Sequence, residues 1–161
     1  MAKITTCLWF DGKAEEAARF YVSLLPESRI GSVVPYVMDM PGGTAGDTML
    51  VEFTLAGQPC IALNGGTYFQ FTPAMSLAVN CADQVEIDRL WEALTEGGSA
   101  MPCGWLTDRY GVTWQIVPEA LPAMMQSADP AKARRVMEAM LPMTKLDIGT
   151  LRAAFDGTSA A

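Results

Sequence analysis

Residues 105–118 read WLTDRYGVTWQIVP and predict a β-hairpin. Two β-rich segments, 105–108 and 112–117, flank a turn at Asp108-Arg109-Tyr110-Gly111. Gly111 can adopt the positive φ that such a turn needs, and Val, Thr, Trp and Ile favour a pleated, half-buried surface. The segment therefore predicts the last two strands of a sheet.

The order strand, helix, strand, strand, strand is predicted twice. In the first half, β-rich residues 3–10 precede an amphipathic helix that begins near Lys13 and stops at Pro26. In the second half, a strand over 75–81 precedes a helix that begins with the capping-box-like DQVE of residues 83–86. The other predicted strands lie at 29–37, 48–56, 60–64, 99–103, 105–108 and 112–117.

A shift of 70 residues aligns the two halves and pairs Arg19-Phe20-Tyr21 with Arg89-Leu90-Trp91. We predict an α+β fold of two βαβββ modules, at about 3–66 and about 74–118. Each module is a curved mixed sheet with a helix on one face, and both belong to a single domain over 1–161. A cleft on the concave faces is the expected ligand site.

The C-terminal tail, about 119–157, departs from this pattern. Asp129-Pro130 and Asp147 mark two helix starts, and the Met-rich apolar face that follows favours packing on the same chain or across a dimer.

Composition excludes several classes of protein. The net charge of −7 and the pI near 4.5 argue against a nucleic-acid partner, because phosphate recognition needs clustered Lys and Arg. No apolar run is long enough to span a membrane and the N-terminus lacks a signal-peptide layout, so a cytoplasmic protein is expected. The four single cysteines, with no C-x-x-C pair, predict buried reduced thiols. The chain has no His, the commonest metal ligand.

Three stretches resemble the PhnB-like subgroup of the vicinal oxygen chelate (glyoxalase/bleomycin-resistance) superfamily, also called 3-demethylubiquinone-9 3-methyltransferase-like. They are FDGKAEEAARFY (10–21), DRYGVTWQIVP (108–118) and KARRVMEAMLPMTKLDIGTLRAAF (132–155). The resemblance implies paired βαβββ modules and commonly a homodimer with two clefts.

The resemblance also implies four places for metal ligands, on the first and last strands of each module. They fall on Thr6, Ala62 or Asn64, Ser76 or Ala74, and Gln115. None is a His or a carboxylate, and neutral oxygens cannot offset the dehydration of a divalent transition ion. We therefore predict no metal and no cofactor. The ligand-binding candidates on the predicted concave faces are Gln115, Trp105, Thr113, Thr6, Asn64, Ser76 and Cys60.

The methyltransferase description has no support in the sequence. An adenosylmethionine site needs a Gly-rich turn between a strand and a helix, and the pairs Gly42-Gly43, Gly65-Gly66 and Gly97-Gly98 fall in predicted loops or at a helix end.

The leading hypothesis is a metal-free homodimer that binds a small organic molecule, with no assigned catalytic residue. An alternative is a lyase, isomerase or dioxygenase that uses Glu52 or Asp108 as acid or base. Structural roles compete with both: Asp108 can bond its own backbone, and Glu52 can face outward. Further alternatives are sequestration of a toxic compound and a pure interaction module. Trp9, Tyr21, Trp91 and Trp114 are assigned to the helix-facing core.

Overall fold

A computed structural model describes residues 3–158, which divide between Phe71 and Thr72 into two compact units. The first contains β1 (Thr6–Phe10), α1 (Ala14–Leu24), β2 (Arg29–Pro35), β3 (Thr48–Leu55) and β4 (Gln58–Asn64). The second contains β5 (Leu77–Cys81), α2 (Gln84–Thr95), β6 (Ser99–Ala100), β7 (Trp105–Thr107), β8 (Thr113–Pro118), α3 (Leu121–Met125), α4 (Pro130–Met140) and α5 (Ile148–Asp156). The predicted βαβββ order is confirmed in both units.

Each unit has one four-stranded mixed sheet, and the two sheets share a topology. The strand orders are β1-β4-β3-β2 and β5-β8-β7-β6. The first strand of each unit runs parallel to the last, whereas the other neighbours are antiparallel. This is the predicted α+β architecture. Between residues 3 and 158, no helix combines the length and the apolar character needed to cross a bilayer.

Helix α1 covers one face of the first sheet. Its buried side chains are Ala14, Ala17, Ala18 and Tyr21, and three alanines let the helix approach the strands closely. The N–H of Ala14, at the start of the helix, donates to Asn64 Oδ1 at 2.9 Å. This bond fixes the end of β4 beneath the first turn of α1 and satisfies one of the amides that a helix N-terminus leaves free.

The start of α2 confirms the predicted cap. Asp83 Oδ1 accepts from Glu86 N at 2.9 Å, and Glu86 Oε2 accepts from Ala82 N, also at 2.9 Å. In a standard capping box the glutamate accepts from the backbone N–H of the N-cap residue itself. Here it accepts from Ala82, the residue before the N-cap Asp83. Ile87, Leu90 and Leu94 carry the buried stripe.

The predicted strands 48–56 and 60–64 place a turn at Gly57-Gln58-Pro59, and this turn is wrong. Gln58 pairs with Leu55 and Pro59 with Thr54, so the turn consists of Ala56 and Gly57. Both have positive φ, 47° and 79°, as in a two-residue turn whose twist matches that of the flanking strands. Several other predicted strands are shorter in the structure, most clearly β6.

The C-terminal tail packs on its own chain. Val136, Leu146 and Leu151 form a buried cluster that partly buried Met side chains surround. The Gln84 carboxamide of α2 donates to Leu146 O at 3.1 Å and accepts from Ile148 N at 2.9 Å. One polar side chain thus ties α5 to α2.

Candidate functional site

The face of each sheet opposite its helix is called here the open face. In the second unit, Trp114 and Ile116 of β8 are buried on the α2 side, so Gln115 lies on the open face. Gln115 pairs with Trp105 on β7 and with Ala78 on β5, and directly paired residues share a face. Gln115 Nε2 donates to Ser76 Oγ at 2.8 Å. Ser76 lies just before β5 and not within it.

Thr113 is a further predicted site residue on the same face of β8. Its side chain is only 2% exposed. Its Oγ1 is buried and lacks a hydrogen-bond partner among the residues that the structure describes. The structure therefore brings Gln115, Ser76 and Trp105 together as half-buried residues of one sheet face, whereas Thr113 of that face is buried and Val117 packs against the tail cluster.

The first unit contradicts the predicted orientation. Thr6 pairs with Cys60, and both alternate into the face of Leu8 and Ala62, which is buried beneath α1. Asn64 is on that face too, because its side chain bonds the first residue of α1. Thr6, Cys60 and Asn64 therefore do not face the open side.

A one-residue difference between the halves explains this error. Residues 11–13 connect β1 to α1, whereas only residues 82–83 connect β5 to α2. The 70-residue relation therefore holds for the helices, but the first strands, β1 and β5, are offset by 71. Because strand side chains alternate, a slip of one residue moves every side chain to the other face.

The open face of the first unit carries a pocket of about 290 Å³, called here the Trp9 pocket. Its walls come from β1, β3, β4 and the loops at 36–42 and 65–68. The large side chains that line it are Trp9, Tyr36, Met40, Met49, Leu63 and Tyr68. Trp9 was predicted to lie in the helix-facing core, and that prediction is wrong for the same parity reason.

Met49 reaches this pocket because β3 is irregular there. Val34 pairs with Leu50 and Pro35 with Thr48, so the pairing with β2 skips Met49. Thr48 Oγ1 donates to Glu15 Oε2 of α1 at 2.8 Å, which places Thr48 on the helix side. The extra residue lets Met49 line the pocket although Val51, two positions on, is in the helix-side core.

Hydrogen bonds hold the aromatic walls of the Trp9 pocket in place. Trp9 Nε1 donates to Gly66 O at 2.8 Å. The indole also meets the Phe69 ring edge-on, with centroids 5.0 Å apart. The Tyr36 hydroxyl donates to the main-chain oxygen of Asn64. The Asn64 carboxamide is bound to Ala14 N and, at 2.8 Å, to Thr48 O, so Asn64 lines the pocket while its side chain is held elsewhere.

Two glycines allow the walls to come this close. A Cβ on Gly65 would lie 2.1 Å from the Trp9 ring, and one on Gly42 would lie 2.4 Å from the Tyr36 hydroxyl oxygen. The sequence predicts only loops at the Gly42-Gly43 and Gly65-Gly66 pairs. The signal for the close approach is that Gly65-Gly66 directly follows β4, and β4 pairs with β1, which carries Trp9.

The surroundings of Asp108 and Glu52, the alternative acid/base residues, indicate structural roles for both. Asp108 is 3% exposed, and its carboxylate accepts from Tyr110 N at 2.8 Å, Val112 N at 3.0 Å and Trp114 Nε1 at 2.8 Å. The predicted bonding of Asp108 to its own turn is confirmed. Glu52 is exposed on the open face of β3 and accepts from Ser32 Oγ at 2.5 Å.

The thiols show no sign of activation. All four are free. Cys60 and Cys81 are buried as predicted and Cys103 is half-buried, whereas the prediction is wrong for Cys7, which is exposed on the open face of β1. Burial raises the pKa of the Cys60 thiol, and it raises the pKa of Cys81 to about 12. Both thiols are therefore neutral at pH 7 and poor nucleophiles. Over residues 3–158, no group of three or more His, Cys, Asp or Glu side chains could hold a metal ion.

Solved structures give the family context. A PhnB protein of Bacillus cereus is 41% identical, with 73% of this chain and 99% of that chain covered and a TM-score of 0.66. A protein of Pseudomonas aeruginosa is 26% identical, with 74% and 98% covered and a TM-score of 0.60. The fosfomycin resistance protein FosX of Listeria monocytogenes, at 11% identity, 78% and 98% coverage and a TM-score of 0.54, shares the fold. A comparison with curated proteins gave no match.

The sequence model of the 3-demethylubiquinone-9 3-methyltransferase family matches residues 2–117. The match covers both βαβββ modules and leaves the helical tail outside it. With the relative from Bacillus cereus and the two-module α+β architecture, this match shows that the chain belongs to the PhnB-like, 3-demethylubiquinone-9 3-methyltransferase-like family.

Proposed function

We propose that this protein binds a small organic molecule in the Trp9 pocket without a metal ion. The observation that carries the proposal is a preformed pocket of about 290 Å³ with aromatic walls that hydrogen bonds hold in place. Ligand pockets are typically about 300–1,000 Å³ and largely apolar. The volume lies at the lower end of that range and favours a ligand of one or two rings.

The open face of the second unit is a separate candidate ligand surface in this proposal, distinct from the Trp9 pocket. The Gln115 carboxamide keeps its Oε1 for a ligand donor, because its Nε2 is already bound to Ser76. Trp105 lies on the same face and is half-buried, whereas the buried hydroxyl of Thr113 is not accessible to a ligand. Thr6, Cys60 and the Asn64 side chain have no part in the proposal, since they face α1.

A library of compounds with about 8–15 non-hydrogen atoms, screened by thermal shift and titration calorimetry, tests ligand binding. We expect hits with Kd of about 0.1–1 mM, the range that ligands of this size reach. Binding should be lost in Leu63→Gln, which changes a pocket wall. It should persist in Ile61→Gln, which is on the same face of β4 but does not line the pocket. A library without hits, or hits that are indifferent to Leu63, would count against the proposal.

The residues at the four family metal places do not suit a transition ion. Two of them, Thr6 and Asn64, face α1, and Gln115 is bound to Ser76. We expect elemental analysis to find far less than one zinc, nickel, manganese or iron ion per chain after dialysis against each ion, with no change in Gln115→Ala. About one ion per chain that disappears in Gln115→Ala would contradict this prediction.

The proposal includes a homodimer, as the family resemblance implies, and a cytoplasmic location, as the sequence predicts. Light scattering should give about 35 kDa, twice the 17.3 kDa of one chain, and a value near 17 kDa would refute the dimer. Methyl transfer has no part in it. Gly42-Gly43, Gly65-Gly66 and Gly97-Gly98 follow β2, β4 and α2, and the next element after each pair is a strand. Sequestration of a toxic compound, as in bleomycin resistance, would use the same binding activity.

A further inference from the structure

We infer that the ligand of the Trp9 pocket is a neutral aromatic molecule that carries no charged or strongly polar group into the pocket. This inference rests on the proposed function, because it names the class of molecule that the proposed pocket accepts. Three features of the pocket support it: its satisfied polar atoms, its uncharged walls and its fixed indole ring.

Three polar side chains that line the pocket, those of Trp9, Tyr36 and Asn64, are already bonded within the protein, whereas Tyr68 is 80% exposed and meets water at the rim. The Trp9 N–H donates to Gly66 O, and the Tyr36 O–H donates to Asn64 O. The Asn64 carboxamide uses its oxygen for Ala14 N and its nitrogen for Thr48 O. A ligand hydroxyl or amide buried in the pocket would lose its hydrogen bonds to water. It would gain none from these protein groups, because each of them would first have to break its bond within the protein. Such a loss lowers affinity by about tenfold or more.

The rest of the wall adds no charge. Among the described residues that line the pocket, none is an Asp, Glu, Lys or Arg. Met40, Met49 and Leu63 contribute soft, apolar side chains. A carboxylate or an ammonium group inside the pocket would therefore be desolvated without a counter-ion, which costs far more than burying a neutral group.

The indole of Trp9 favours a ring as the occupant. It is packed so tightly against Gly65 that a methyl group cannot be inserted between them, and the Phe69 edge and the Gly66 oxygen fix its orientation. A fixed aromatic wall costs little entropy on binding. An aromatic ligand in offset or edge-on contact with such a ring gains about two- to tenfold in affinity beyond the area it buries.

Four naphthalenes of matched size test the inference. They carry at both opposite ends a methyl, hydroxyl, carboxylate or aminomethyl group, so that whichever end of the naphthalene enters the pocket brings its substituent with it. Calorimetry at pH 7 on the full chain, on Leu63→Gln and on Ile61→Gln gives the affinity and reports whether binding depends on the pocket. We expect the dimethyl compound to bind at least about tenfold more tightly than the dihydroxy compound. We expect no measurable binding of the dicarboxylate or of the diamine.

The outcomes separate this inference from the proposed function. Tightest binding of the dimethyl compound, lost in Leu63→Gln and retained in Ile61→Gln, supports both. Equal or tighter binding of a dihydroxy or charged compound, with the same dependence on Leu63, overturns the inference while leaving the pocket a ligand site. Because both charge signs are tested, repulsion by the net charge of −7 cannot by itself produce the expected order. No Leu63-dependent binding of any compound, together with a screen without hits, contradicts both.

Discussion

Replacing Asp108 by Ala should lower the free energy of unfolding by about 3–5 kcal/mol, because it leaves the N–H groups of Tyr110, Val112 and Trp114 without their acceptor. The site is nearly closed to water, since Asp108 is 3% exposed, so solvent cannot readily replace the carboxylate. Urea unfolding followed by Trp fluorescence gives the value. A loss of this size is a large part of the total stability of a typical domain.

Two further variants test whether the buried network causes the effect. Asp129→Ala removes an exposed aspartate that caps α4 through Ala131 N, and it should cost only about 1 kcal/mol. Asp108→Asn keeps one acceptor oxygen but places an N–H₂ group where an acceptor is needed, so its cost should fall between the two. Equal losses in Asp108→Ala and Asp129→Ala would show that the three-donor site is no stronger than a surface cap.

Replacing Gly65 by Ala should displace Trp9, lower stability by about 1–3 kcal/mol and weaken ligand binding to the Trp9 pocket at least about tenfold. The reason is steric, because the added Cβ would lie 2.1 Å from a ring that the Gly66 oxygen and the Phe69 edge hold in place. Urea unfolding and calorimetry with a ligand found in the screen measure the two effects.

Gly149→Ala is the matched control for this change. Its Cβ would meet nothing closer than Asp147 Oδ1 at 3.4 Å, and alanine favours the helix, so stability should stay equal or rise by up to about 1 kcal/mol. The double variant Gly65→Ala with Trp9→Leu should be less destabilised than the sum of the two single variants, because the smaller side chain makes room for the methyl group. Wild-type ligand affinity in Gly65→Ala would refute the steric explanation.

Local patterns in the sequence predict most of the fold because they depend on neighbouring residues. The Asp108–Gly111 turn and the Asp83 cap of α2 each follow from residues a few positions apart, and the structure confirms them. The order of elements follows in turn. The exact ends of the strands do not, as the Ala56-Gly57 turn shows.

The candidate site was harder to predict because it depends on which face of a strand a residue occupies. In the second unit the alternation along β8 places Gln115 on the open face without further information. In the first unit alternation alone does not give the face, since the face of Thr6 depends on the length of the connection at 11–13, and the position of Met49 depends on an irregular strand pairing. Neither feature leaves a periodic trace in the sequence.

The three-residue connection between β1 and α1 has a practical consequence for protein engineering. Counting 70 positions from one repeat to the other transfers a helix substitution to its true counterpart, but it transfers a substitution in the first strand to the opposite surface of the sheet. Open-face side chains of β1 that are grafted onto β5 by a count of 70 would lie beneath the helix. The count for these two strands has to be one residue longer.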